Sequence, residues 1–454
     1  GLLIAFCFGG LLEALAGFGA PVAIAAAMLV AVGFSPIRSA LIALLANTVP
    51  VAFGAVGLPV IQAAAVGGFD NVLSISPTTG RLTAMLCLVV PFLLLAVMDG
   101  KKGIKECWPF GLVVGVTFGI VKWIVSATPL YTLTELVAAL VSVAVAIAFT
   151  RVWKPKGDTE IVARIGRPVD PALETETAKT EAADTSNLTG NKIFMALVPY
   201  LMVIVVFGIA AIPAVKDFFV SLDGSGKTGW ARFQWPGLSE LQNSSGGPAS
   251  HQTFAFPWAS TPGILLALVA ILTALVYKVS MKDAFKELWV NVKKMKFAML
   301  TIGAVVALAY VMGDSGQTLA LGTFIAGAGA IYPFLAPVLG WIGTYVTGSD
   351  TSANILFSGL QSNVGQQIGE ASALGVDGMR QLLVGSNAAG GVVGKMISPQ
   401  SLAIASSAIG LAGSESAILR RIIAWSFVLL FLLCLLAGLM STPVLSWLIP
   451  PMLG

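Results

Sequence analysis

GGLLEALAGFGAPVAI at Gly9–Ile24 and GWIGTYVTGSDTSANI at Gly340–Ile355 carry the same punctuation at two distant places in one chain. Gly9 and Gly340 are 331 residues apart, and so are Gly17 and Gly348. Downstream, ANTVPVAFGAVGLP (Ala46–Pro59) is answered by SNAAGGVVGKMISP (Ser386–Pro399). There Asn47 and Asn387, Gly54 and Gly394, and Pro59 and Pro399 are each 340 residues apart. One shared glycine could be chance, but two matched pairs in the same order read as an internal repeat. Each member is an apolar segment interrupted by Gly and Pro, with small polar residues where a plain span would carry Leu. Backbone left unpaired in hydrocarbon is costly, so interrupted spans survive where they line a cavity. Corresponding broken segments in two halves point to a midplane substrate site, where half-helix N-termini offer free N–H groups to an anion. Close packing of small residues is reading enough for Gly10, Gly327 and Gly329. It does not explain Asn, Ser, Thr and Asp gathering in the paired segments.

Composition agrees. Of 454 residues, 57% are hydrophobic and only 11% charged, against about 25% charged in a soluble domain. Too little charge is present to cover a globule, so the expected solvent is lipid. The apolar runs Leu82–Met98, Phe110–Val125, Leu133–Phe149, Ile193–Ile212, Pro262–Tyr277, Phe297–Met312 and Ile422–Leu439 approach the roughly 20 residues a membrane helix needs. They show no in/out alternation, which argues against a barrel. The fold expected is an all-α polytopic membrane protein.

Loop charge sets an orientation. Lys101, Lys102 and Lys105, then Arg151, Lys154 and Lys156, then the lysines of Lys278–Lys296, recur at every second crossing. The positive-inside rule makes those loops cytoplasmic, and Arg420–Arg421 then start the last span from inside. Residues 1–150 are read as a first membrane half and 193–454 as a second. The polar stretch 151–192 is read as a flexible cytoplasmic linker, and 213–257, with Trp230, Trp235 and the lone His251, as an external loop. Ser280–Lys296 is expected to lie as an amphipathic helix on the cytoplasmic surface. The chain begins inside an apolar run without Met, so further helices are expected before it. The four cysteines lack C-x-x-C spacing and read as buried thiols; no metal, cofactor or nucleic-acid partner is expected.

At the repeat residues the sequence resembles a known family. EALAGFGAPVAIAAAMLVAVGF (Glu13–Phe34), ANTVPVAFGAVGLPV (Ala46–Val60), TGSDTSANILF (Thr347–Phe357), GKMISPQSLAIA (Gly394–Ala405) and MDG-x2-GIKE-x-WP (Met98–Pro109) look like motifs of the L-lactate permease family. The resemblance covers most of the chain outside the linker and external loop. It implies a bacterial inner-membrane secondary transporter that imports L-lactate with protons, and D-lactate and glycolate as well. It also implies inverted repeats, with re-entrant hairpins near 13–27 and 343–361 and broken helices near 44–60 and 384–404.

Ionisable residues inside membrane segments are functional candidates by default. Lys395, beside Gly394, is the best-placed cation for a carboxylate; a lysine snorkelling to the interface is the alternative. Arg81 follows Gly80 at the start of a span and either flanks the entrance or anchors there. Asp350 either caps a helix or, held partly out of water, carries the coupling proton, and Glu13 shares that second logic. Gly17 and Gly19 sit at a half-helix end. Asn47, Thr48, Ser349, Thr351, Asn354, Ser386, Asn387, Ser398 and Gln400 supply neutral groups for a carboxylate and a hydroxyl. His251 reads as a surface residue. A sodium-coupled carboxylate or dicarboxylate carrier remains open, although so few cations at the repeats suit a single carboxylate. A channel would lack accumulation. A membrane enzyme would need a motif such as H-E-x-x-H or G-x-S-x-G, and neither occurs.

Overall fold

The computed structural model describes residues 1–15, 17, 19–154, 164–171, 173, 190–224, 232–237, 253–256, 258–259 and 261–451. His251, Trp230 and most of the 151–192 stretch fall outside them. A π-helical turn, Leu3–Phe8, leads into α1 (Gly9–Leu15), α2 (Ala20–Ala31), α3 (Pro36–Asn47), α4 (Gly54–Val66), α5 (Ser76–Val125) and α6 (Thr134–Val152). Then come α7 (Gly190–Ala210), α8 (Pro213–Asp223), β1 (Arg232–Gln234), β2 (Thr253–Ala255), α9 (Pro262–Val276), α10 (Met281–Asp314) and α11 (Gln317–Ala326). The chain closes with α12 (Tyr332–Thr347), α13 (Asp350–Gly369), α14 (Gly375–Lys395), α15 (Pro399–Ala408) and α16 (Glu415–Met440).

The chain divides into two compact units, one of Gly1–Ala183 with Leu321–Gly454 and one of Asp184–Ala320. Both repeat-bearing stretches belong to the first. Among the described residues four helical runs are long and apolar enough to cross a membrane, and seven if each bent pair counts as one span. The first unit is apolar outside and polar inside. Ile120, Ile124, Phe431 and Trp447 are more than half exposed, whereas Glu13, Lys122, Glu135, Asp350 and Lys395 are buried. Only an apolar solvent tolerates that distribution, and it makes the protein an all-α polytopic membrane protein.

Helix α5 is two arms folded back on each other. Asp99 and Gly100 leave the helical region, Gly100 at φ 63, a conformation open to glycine. Gly111, Gly115 and Gly119 then sit at spacing four along the returning arm. A Cβ on Gly115 would come within 2.4 Å of the Cys87 carbonyl on the first arm, so glycine sets how closely the arms approach. Beside this turn, part of the expected linker is docked. Arg164 pairs with Asp99 at 2.9 Å and Asp170 with Arg421 at 3.1 Å. Arg38 Nη1 donates to the carbonyl of Ile165 at 2.7 Å. The starts of α3 and α16 and the α5 turn therefore share one face.

In the second unit α7 and α8 meet at a bend of 83°. Strands β1 and β2 pair antiparallel, with Phe233 opposite Phe254, and Trp235 packs against both rings. The expected surface helix at Ser280–Lys296 is not separate. It is the first half of α10, one continuous helix of 34 residues capped by the Ser280 hydroxyl. No Gly or Pro falls between Met281 and Ile302 to break it.

Candidate functional site

Both pairs of segments are interrupted, the first at its matched glycines and the second at points that differ between its members. Gly17, between α1 and α2, has φ 50, and its partner Gly348, between α12 and α13, has φ 72. After α3 the chain unwinds at Thr48–Pro50 and takes a 3-10 turn at Val51–Phe53. It then passes through Ala55, Val56 and Gly57, all left-handed, before Pro59. Left-handed backbone costs a non-glycine residue about 1–2 kcal/mol, and for a β-branched Val it is an outlier. Strain of this kind persists where surrounding structure enforces it, commonly at functional sites. The second break is shorter. Helix α14 runs to Lys395, and α15 starts at Pro399, capped by the Ser398 hydroxyl, which accepts from the Ser401 N–H at 3.2 Å.

The two breaks do not hold their asparagines alike. Asn47 is the last residue of α3, whereas Asn387 lies two turns inside a continuous α14. The equivalence expected from sequence spacing fails at this point. The run Ala388–Val393 contains no proline and pairs its backbone along the helix, so the chain can delay its break to Met396–Ser398.

Two polar stripes meet here. Asn387, Gly391 and Lys395, at spacing four, share one face of α14; Asp350, Asn354 and Gln361 line one face of α13. Asn387 Nδ2 donates to Asn354 Oδ1 at 2.9 Å, and Tyr332 donates to Gln361 Oε1 at 2.8 Å. Asn354 reaches the Pro59 carbonyl at 3.4 Å, tying α13 to α4. One level on, a Cβ on Gly391 would fall 1.9 Å from Asp350 Oδ1; glycine there makes room for the carboxylate. Asp350 is buried beside the Thr344 hydroxyl and the Asn354 amide, with no well-angled hydrogen bond to either oxygen among the described residues. Capping does not account for it, because the cap is Ser349, whose hydroxyl accepts from the Ser352 N–H at 3.3 Å.

At the last level Lys395 Nζ donates to Glu13 Oε1 at 2.6 Å, and Asn47 Nδ2 donates to Glu13 Oε2 at 2.9 Å. The Glu13 carboxylate lies against Gly54, whose Cβ would stand 2.9 Å from Oε1. A buried ammonium–carboxylate pair thus closes over the first break. Asp350 is within electrostatic reach of both partners.

Other predicted residues surround this core. Gly19 has φ 89, and a Cβ there would run into Ile404 of α15. Gln400, exposed, packs over Gly348. The Thr48 hydroxyl donates back to the Leu44 carbonyl at 3.4 Å. Thr351 and Ser386 are buried, the Ser386 hydroxyl without a partner among the described residues. Arg81 is not brought in: it donates to the Leu448 carbonyl at 2.6 Å and stacks over Trp123.

Sequence reasoning missed a second buried pair, Lys122 and Glu135, 2.6 Å apart and with both side chains 0% exposed. Lys122 also donates to the Val49 carbonyl at 2.7 Å. The signal was present: each is an ionisable residue inside an apolar run.

Residues 1–444 match the family model for L-lactate permease. The chain belongs to the L-lactate permease family. It is 38% identical to the L-lactate permease of Bacillus subtilis, over 99% of this chain and 79% of that one. It is 37% identical to the glycolate permease of Escherichia coli, over 94% and 75%, and 35% identical to that organism's L-lactate permease, over 99% and 79%. No solved structure matches it. As a member of a permease family with several apolar helices, it is a multi-pass cell-membrane transporter and not an enzyme.

Proposed function

We propose that this permease imports L-lactate, with D-lactate and glycolate as further substrates, by proton symport. The names of its relatives support the substrate class. The observation that carries the coupling is the closed Glu13–Lys395 pair. A lactate carboxylate needs the Lys395 ammonium, and Glu13 already holds it. Protonating Glu13 gives up that claim, and the incoming carboxylate takes its place. One negative charge is neutralised as another arrives, so the net charge of a poorly solvated site stays constant through the exchange. Asn47 steadies Glu13, while Ser398 and Gln400 stand near for the substrate hydroxyl. Asp350, unpaired beside them, is the second proton carrier.

For the architecture we propose two inverted repeats, with α1–α2 and α12–α13 as re-entrant hairpins and α3–α4 and α14–α15 as broken helices. Reciprocal packing supports this: α2 lies against α15, and α13 against α4. Direction supports it too. Helix α3 starts at the face of the α5 turn, whereas early α14 meets the end of α4, with Arg380 donating to the Gly67 carbonyl at 3.1 Å. The test is uptake of labelled lactate into proteoliposomes under imposed gradients. Uptake should follow an inward proton gradient with sodium absent; uptake that requires sodium and ignores the pH gradient would overturn proton coupling.

A further inference from the structure

The second buried pair sits at the wall of the first break. Val49 lies in the unwound run between Asn47 and the turn Val51–Phe53, where carbonyls have lost their helical partners. Its oxygen accepts from Lys122 Nζ at 2.7 Å. The same ammonium meets Glu135 Oε1 at 2.6 Å and faces the Phe53 ring at 5.6 Å. A freed carbonyl, a carboxylate and an aromatic face around one positive charge make up a cation-binding set. Among the described residues the Lys122 ammonium is the one cation paired with the Glu135 carboxylate. In transporters built on broken helices, freed carbonyls of this kind coordinate the coupling cation.

We infer that the Lys122 ammonium is a tethered cation, standing at the first break where a free monovalent cation would bind and positioning Thr48–Phe53 without one. Lys122 is then a positioning residue, acting through the backbone that carries Asn47 and so through Glu13. The inference rests on the reading that this break lines the transport path, and on no choice of driving ion. Its consequence is specific. Shortening Lys122 leaves Glu135 and the Val49 carbonyl around a space that a small cation can enter.

The full chain carrying Lys122→Ala is compared with wild type in sodium, methylammonium or choline chloride at equal ionic strength. The first readout is lactate–lactate exchange in proteoliposomes at equal pH, which needs no driving ion. Failure of proton coupling would therefore leave it intact. The second is the thermal unfolding midpoint of the purified protein, which does not depend on the substrate being lactate. In choline, exchange by Lys122→Ala should fall about tenfold and its midpoint by roughly 5 °C. Sodium or methylammonium should restore much of both, while wild type responds to neither. The double variant Lys122→Met/Glu135→Gln keeps the volume, removes both charges and should gain no cation response. Equal behaviour of Lys122→Ala in all three salts, or the same rescue in the double variant, would overturn the inference. If Lys122→Ala does not fold in choline, the double variant decides. Lost exchange at a near-wild-type midpoint supports the tethered cation, and wild-type exchange overturns it.

Discussion

Glu13–Lys395 and Lys122–Glu135 are ammonium–carboxylate pairs of the same length, 2.6 Å, in the same unit, yet their settings differ. Lys122 and Glu135 are 0% exposed, in the last turn of α5 and the first turn of α6, and the ammonium is fixed to a backbone carbonyl. Lys395 and Glu13 retain 9% and 2% exposure and stand at helix ends, beside glycines and an unpaired carboxylate. A buried pair contributes little net stability when intact, but about 3–5 kcal/mol is lost when one partner is removed. What distinguishes the two is therefore which can exchange partners. Lys395 has a second anion within reach and breaks on either side. Lys122 has a carbonyl that cannot leave.

The largest effect is expected at Lys395. Lys395→Met should weaken lactate binding by about 100-fold or more, measured by calorimetry on purified protein, because a carboxylate would enter without its cation. Affinity within about threefold of wild type would break the comparison, making Lys395 as structural as Lys122. Next is Glu13→Gln, which keeps shape and removes the negative charge. Accumulation driven by a pH gradient should be lost, while gradient-free exchange stays within roughly fivefold of wild type. If accumulation persists, the proton travels on Asp350 instead, and Asp350→Asn should then abolish it.

The paired asparagines sharpen the contrast further. Asn47→Ala removes a hydrogen bond to a charged group, which contributes about 1.5–3 kcal/mol, and should shift the pH profile of uptake as well as slow it. Asn387→Ala disturbs a neutral network and should lower transport with the pH profile unchanged. Identical profiles in both variants would argue that the two asparagines share one role. The smallest effect is expected for Arg81→Ala, whose partners are Leu448 and Trp123. Uptake should stay within about twofold of wild type.

Much of the site could be read from residue spacing. Gly17 and Gly348 turn the chain as matched positions should, and Pro59 and Pro399 follow both breaks. Ser349 and Ser398 serve as helix caps, and a Ser immediately before each helix start carries that signal. Lys122 and Glu135 lie outside the paired Gly/Pro-interrupted segments, so spacing does not mark them. The delayed break at Met396–Ser398 was hidden for a related reason: Gly390, Gly391 and Gly394 look like breakers but are packing positions. A Cβ on Gly390 would come 1.9 Å from the Pro337 carbonyl.

By itself the sequence determined the solvent, the helical class, the glycine turns at Gly17 and Gly348 and the family. These depend on composition and on local backbone rules, which act within a few residues. Which charges meet was decided by the tertiary structure alone. Glu13 and Lys395 are 382 positions apart, and no local rule joins them. They meet because Gly54 leaves room for the Glu13 carboxylate, because Gly340, Gly390 and Gly394 let α12 and α14 close to backbone distance, and because in a medium with little water each buried charge is stable only beside its opposite.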